Sequence, residues 1–271
     1  MAFKINFKLQ ELDQVLLWGE APNQSIHWFG LTDGLLWIDV GEQTIYEYSK
    51  EAQEYFEGHS PYNDYQLARF LEDFSELFKG IGESVPQELY DHVEEFEGKA
   101  EQWKNLYMDL SDELFDQFYC ENYLGLTGWL LSDRTMDSGH LIGGPHMSFV
   151  RCENRIKIIW DGTYQLENGS NIWRFPSGVF EMSYNEFTDE VVRFFRAFYD
   201  AMDKQVENAV KKDWGCVTLD KDRLVSENEE RKEGFEQLLN FLSESSAHTD
   251  WDRVSLLHER MLEEIKIGLH K

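Results

Sequence analysis

One stretch constrains the fold of this chain more than any other. From Phe187 to Val210, apolar side chains recur at Phe187, Val191, Phe194, Phe195, Phe198, Met202, Val206 and Val210, in steps of three and four that place them on one face of a helix. Ser183 and Glu186 have the Ser-x-x-Glu spacing of a capping box just before it. Asp200 with Lys204 and Glu207 with Lys211 stand four apart on the wet side. A helix over 184–212 with so long an aromatic stripe needs a broad apolar surface to lie on, and the sequence predicts a sheet beneath it.

Strand signals are plentiful. They cover 3–9, 34–40 and 44–49, and then 128–133, 146–153, 155–162, 171–176 and 178–183, each rich in aromatic or β-branched residues. Gly41 supplies the turn between the second and third, and "CEN" and "ENGS" supply turns later. In 155–160, Ile156, Ile158 and Trp160 alternate with Arg155, Lys157 and Ile159, the pattern of a half-buried sheet.

Between the two groups of strands the period becomes helical. Leu67, Phe70, Leu71, Phe74, Leu77, Phe78 and Ile81 make one stripe, with Asn63 or Asp64 as its start and Gly80 and Gly82 as its end. Leu89, Val93, Phe96, Ala100, Trp103 and Tyr107 make a second after Pro86. The pair predicts an antiparallel helical hairpin, followed by a short helix around Leu114 and Phe118. The expected fold is α+β: a mixed, mostly antiparallel sheet of six to eight strands, with an α-helical hairpin inserted at about 63–122 and helices packed on one face. Residues 1–214 read as one domain, and 215–271 as a C-terminal helical extension.

Composition narrows the function. Asp and Glu number 52 against 25 Lys and Arg, a formal charge of −27, so the surface field repels nucleic acid and anionic membranes. The same field attracts a basic protein. Three scattered cysteines, Cys120, Cys152 and Cys216, form no disulfide framework or zinc knuckle. No apolar run reaches membrane length, and "MAFKINFKLQ" has no signal-peptide core. The expected location is the cytoplasm.

The richest concentration of reactive side chains is "GHLIGGPHMSFVRCENRIKIIWDG", residues 139–162. His140, His146 and Cys152 match no metal-ligand spacing. Gly143, Gly144 and Pro145 precede no helix, so they read as a tight turn rather than a phosphate loop. Asp33 and Asp161 each precede glycine, where an aspartate serves a turn. No nucleophile motif is present. The motifs lean away from an enzyme without deciding against one, and the expectation is a protein without cofactor or metal.

The segments "IHWFGLTDGLLWIDVGE" and "IIWDG … NIWRFPSGVFEMSYNEFTDEVVRFFRAFYDAMDKQV" resemble an uncharacterised family of bacterial cytoplasmic proteins, over most of residues 3–210. The resemblance implies bacterial origin and intracellular location, and no reaction. Its tryptophans Trp28, Trp37, Trp160 and Trp173 read as core residues.

Two function classes remain. The first is an acidic interaction protein, an immunity or inhibitor protein against a basic toxin such as a nuclease effector, using Glu72, Asp73, Glu76, Glu94, Glu95 and Glu97 on the inserted hairpin. The alternative is a small-molecule-binding protein or enzyme with a pocket near His140, His146, Arg151, Arg155 and Asp161.

Overall fold

The strands form two sheets rather than one. The computed structural model describes residues 3–58, 60–243 and 249–268. Its first sheet centres on β2 (Asp33–Val40), with β1 (Lys4–Leu9) antiparallel along one edge from Lys4↔Asp39 to Leu9↔Gly34. The other edge of β2 is shared. β3 (Gln43–Ile45) pairs with Ile38–Val40, and β4 (Asn63–Gln66) pairs with Asp33–Leu36. The strand predicted at 44–49 therefore stops at Ile45, because the chain must leave the edge that β4 occupies. It leaves through Tyr46, at φ 66°, a left-handed conformation that costs a non-glycine residue about 1–2 kcal/mol. Tyr46 is held there by a 2.7 Å hydrogen bond between its hydroxyl and that of Ser138. Edge contacts with Phe70 and Trp173 close around its ring. Helix α1 (Lys50–Tyr55), capped by Ser49, spans the detour to β4.

The expected helical hairpin does not form. Helices α2 (Leu67–Glu76) and α4 (Gln87–Tyr107) bury their stripes in different places: Phe70, Leu71 and Phe74 pack in one core, and Leu89, Val93, Phe96, Ala100 and Trp103 in another. Short α3 (Phe78–Gly82) separates them. A Cβ at Gly80 would lie 2.1 Å from the Asp133 carbonyl oxygen, and one at Gly82 2.0 Å from that of Phe241. Close packing, rather than termination of a helix, thus explains both glycines. Helix α5 (Asp112–Phe118) runs through a π-helical turn at Tyr119–Tyr123 into α6 (Leu124–Leu131). Residues 128–131 are therefore helical, not the strand predicted at 128–133.

The second sheet has the order β5 (Thr135–Asp137), β6 (His146–Cys152), β7 (Arg155–Asp161) and β8 (Ser177–Ser183), all antiparallel. Residues 171–176 contribute isolated bridges, such as Trp173 to Tyr48, and no strand. Both faces of this sheet are covered. Met147, Phe149, Ile156 and Ile158 enter the first core, and Val150 and Cys152 the second. The face expected to be wet is closed by α4: Lys157 is buried, and its ammonium donates to Glu94 at 2.8 Å and to the Tyr90 carbonyl at 3.2 Å.

The long stripe belongs to α7 (Tyr184–Lys211). Seven of its eight predicted residues are buried, with Val210 at the margin. Phe187 meets Phe3, just before β1, at 5.5 Å between ring centroids and Phe149 of β6 at 5.9 Å, and Phe194 meets Phe7 of β1 at 5.8 Å, so one helix spans both sheets. Ser183 is the N-cap residue, yet its side chain makes no capping bond, so the predicted box is not formed. Helix α8 (Lys221–Leu238) lays Phe235 flat on Phe195 at 3.6 Å. Helix α9 (Asn240–Ser243) follows, and α10 (Trp251–Ile267) buries Val254, Leu257 and Met261 in the second core. Among the described residues no helix is long and apolar enough to cross a membrane.

At the junction of the two cores sits Arg134, fully buried, with a 2.9 Å ion pair to Glu83. Thr249 donates to Glu83 through both its amide and its hydroxyl. The Arg134 guanidinium lies over Trp129 and Trp251 at 5.7 and 5.4 Å. Burial by itself would raise the Glu83 carboxyl, but the bonds from Thr249 and Arg134 together outweigh it and hold the group below its ordinary value of 4.5. A carboxyl lowered on folding stabilises above its unfolded pKa and loses that contribution as pH falls through the folded value.

Two outcomes are expected. Phe194→Ala, which empties a ring site on α7, should lower unfolding free energy in denaturant by about 3–5 kcal/mol. Arg134→Met should cost about 3–5 kcal/mol by stranding Glu83, and Glu83→Gln combined with Arg134→Met should cost less than the two singles summed. The acid-side loss of stability below pH 4.5 should be shallower in the double variant than in the natural chain.

Candidate functional site

The six carboxylates expected to form one face do not do so, because their helices serve separate cores. On α2, Glu72 accepts from Arg231 at 2.7 Å and Asp73 pairs with Arg69 at 3.1 Å. Glu76 lines a cleft of about 430 Å³ together with Lys79, Asp133 and Arg253. On α4, Glu94 is held by Lys157 at 2.8 Å and Glu95 by Lys99 at 2.7 Å. Four of the six are therefore already paired within the chain. Glu97 is exposed and enters no ion pair among the described residues.

A better acidic surface lies just beyond, on α5. Asp112, Glu113 and Asp116 are exposed and enter no ion pair among the described residues. Beside them Leu114 is 51% exposed, and Met108, at the end of α4, 61%. This lobe is firmly mounted. Phe118 stacks on Tyr107 at 3.6 Å and meets Trp103 edge-on at 4.8 Å. Glu264 of α10 accepts from Trp103, Tyr107 and Arg260 at 2.6 to 2.7 Å. Those bonds outweigh burial and keep the Glu264 carboxyl low, so it stays ionised at neutral pH. The sequence carries the signal for this lobe in Leu114 and Phe118, four residues apart, with acids close by at Asp112, Glu113 and Asp116.

The alternative pocket does not assemble either. In the β6–β7 register His146 stands opposite Asp161, whereas Cys152 stands opposite Arg155. The two ends of this hairpin are separated by about 17–20 Å of strand. Arg151 donates to the Gly82 carbonyl and lies over Tyr184 at 4.1 Å. Arg155 donates to Gln87 at 2.8 Å and lies over Tyr90 at 4.8 Å. These arginines fasten the sheet to α3, α4 and α7. His146 and Asp161 sit at the far, open end, where His146 approaches Asp137 at 3.9 Å.

His140 is elsewhere, in the turn after β5. Its Nδ1 lies 3.8 Å from Asp73 Oδ2, and both atoms are buried without an aligned hydrogen-bond partner. Burial first, and the Arg69 charge second, push the imidazole below its ordinary value, so it is neutral at pH 7. Burial likewise raises Asp73, against the attraction of Arg69. The structure thus joins one residue of each expected site. Among the described residues no group of three His, Cys, Asp or Glu is placed to hold a metal ion.

With this geometry in view, comparison with known proteins is informative at one level. Residues 4–257 match the profile of a family of unknown function, DUF5984. The chain belongs to DUF5984. No curated protein and no solved structure matches it. The DUF5984 match runs past residue 210, where the motif resemblance ended, and takes in α8 and α10 as far as Leu257. Of the four tryptophans expected in the core, Trp28, Trp160 and Trp173 are buried, and Trp37 is half-buried and stacked on Tyr62 at 4.4 Å.

His258 on α10 shares the condition of His140: burial dominates and lowers it. Because the unfolded chain then takes up protons first, stability should fall as pH drops below the ordinary histidine value of 6.5 and level off below the folded pKa values. Denaturant midpoints measured from pH 7.5 to 5 should show this slope, and His140→Gln and His258→Gln should each remove part of it. A flat profile in the natural chain would contradict the assignment.

Proposed function

We propose that this DUF5984 protein is a bacterial cytoplasmic interaction protein that captures and neutralises a basic partner, in the manner of an immunity protein against a toxin such as a nuclease effector. One observation supports this most: the α5 lobe combines carboxylates at Asp112, Glu113 and Asp116, without an ion pair among the described residues, with exposed apolar groups at Met108 and Leu114. Carboxylates that merely keep a chain soluble need no apolar neighbours. An interface needs both, since long-range charge sets the encounter rate while buried apolar anchors set the lifetime of the complex.

The net charge of −27 supplies the field, and the rigid aromatic mounting of the lobe means that little ordering cost is incurred on binding. Glu97 joins this surface from α4. Its charge raises the Tyr123 hydroxyl, after burial, Glu101 and Tyr119 have done so, and Tyr123 belongs to the π-helical turn that follows α5. The contact surface is thereby moved from the α2–α4 pair to α5 and the end of α4.

The test is capture from the producing bacterium at low and moderate salt, with the natural chain and with D112K/E113K/D116K. A basic protein should be retained by the natural chain, more weakly as salt rises, and should be lost by the variant. Surface plasmon resonance with that protein should show the charge variant slowed mainly in association and Leu114→Ala mainly hastened in dissociation. A variant that retains the same protein with unchanged kinetics would overturn the assignment of this surface. Undiminished survival of a deletion strain beside toxin-producing kin would overturn the immunity role.

A further inference from the structure

A cleft of about 330 Å³ opens between the loop that joins α1 to β4 and the turn after β5. Four aromatic rings wall it: Tyr48, Phe56, Tyr62 and Tyr65. Three are backed or braced by other rings. Tyr48 stacks on buried Trp173 at 4.9 Å and 12°, Tyr62 on Trp37 at 4.4 Å and 12°, and Tyr65 leans over His140 at 4.9 Å. The chain leading into β4 is tied down as well, by the Tyr48 amide bonding to the Pro61 carbonyl at 2.8 Å and the Asn63 amide to that of Tyr46 at 2.9 Å. The Tyr46–Ser138 hydroxyl pair fixes the start of the opposite turn. The cage is therefore held in place before any ligand arrives.

Its charge is one-sided. Asp64 lies on the wall, and no lysine or arginine is among the described residues that line the cleft. Two guanidiniums act on wall residues, Arg69 on His140 and Arg174 on Tyr62, and each is engaged with a carboxylate of its own, Asp73 at 3.1 Å and Glu47 at 2.6 Å. Burial and repulsion from Asp33 both raise the Asp64 carboxyl, against a hydrogen bond from Gln10, and Asp64 in turn adds to the effect of burial in raising the Tyr48 hydroxyl. Among the described residues Asp64 enters no ion pair. Aromatic faces carry negative potential, and rings clustered beside a carboxylate attract an organic ammonium more than a neutral molecule of the same shape.

We infer that this cleft, lined by Tyr48, Phe56, Tyr62, Asp64 and Tyr65, is a binding site for a small alkylated ammonium compound. The cation sits against the ring faces, its alkyl groups replace water in the cage, and Asp64 balances its charge. Neutral His140 forms part of the wall and adds no repulsion. The inference stands apart from the α5 lobe, and neither depends on the other.

Choline chloride is the probe, titrated by calorimetry against potassium chloride at matched ionic strength, with 3,3-dimethylbutan-1-ol as the neutral molecule of the same shape. Choline should bind saturably at one site, and the alcohol about tenfold or more weakly. Asp64→Asn and Tyr65→Leu, both at exposed positions, should weaken choline about fivefold or more while leaving thermal unfolding unchanged. Tyr48→Phe, which keeps the ring, should retain binding, and Tyr48→Leu should not. Equal affinity for choline and the alcohol would overturn the inference, as would non-saturable choline binding or unaltered affinity in both Asp64→Asn and Tyr65→Leu.

Discussion

The aromatic stripe of α7 is the contact on which the rest of the molecule depends. The two sheets are separate hydrogen-bonded ladders, and the helix is what unites them. Phe194 and Phe198 each meet Phe7 of the first sheet at 5.8 Å, while Phe187 reaches both Phe3 and Phe149. Its flank is fixed by polar contacts too. Glu190 accepts from the Ile5 amide at 2.7 Å, and Arg193 donates to the Ile5 carbonyl, so at Ile5 the outer edge of β1 is bonded to side chains of α7. An edge strand engaged in this way is less open to pairing with another chain at that point.

The scarcity of basic residues explains how they are used. With 25 Lys and Arg against 52 acids, many cations are engaged at junctions between elements. Arg134 joins two cores, Arg151 and Arg155 bind the hairpin to its covering helices, and Lys157 reaches through the sheet face to α4. Arg231 lies over Trp28 at 4.2 Å and pairs with Glu72. Such cations give planar or buried contacts that acids cannot supply. The acidic excess is left on surfaces where no such junction exists, and α5 is the clearest of them.

What was legible in the sequence follows from how far one periodicity can be read. The α7 stripe, the α2 and α4 stripes and the β6–β7 hairpin all repeat cleanly, and all are present. The α+β class was legible for the same reason. Residues 128–131 were misread as strand because Gly128, Trp129, Leu130 and Leu131 are apolar on every side, and a short apolar run has no period to distinguish helix from strand. The 171–176 segment has aromatic composition suited to a strand, yet Trp173 is used as a wedge against Tyr46 and Tyr48. Two sheets in place of one, and α2 apart from α4, are decided by long-range packing that local patterns do not encode. The site was legible in its parts and not in its grouping: Asp73 and His140 were both singled out, but 67 residues separate them, and only the fold shows that they meet.

The bond from Ile5 to Glu190 joins positions 185 residues apart. Chains are synthesised at about 5–20 residues per second, so roughly 10–40 s pass between the making of β1 and the making of the helix that covers it. During that interval β1 and β2 can pair, yet Phe3 and Phe7 have no α7 to rest on. The first sheet therefore waits with an apolar face uncovered until most of the chain exists. Its assembly belongs to the slow, non-local class of folding events, and that face must be kept from other chains while the residues between β1 and α7 are being made.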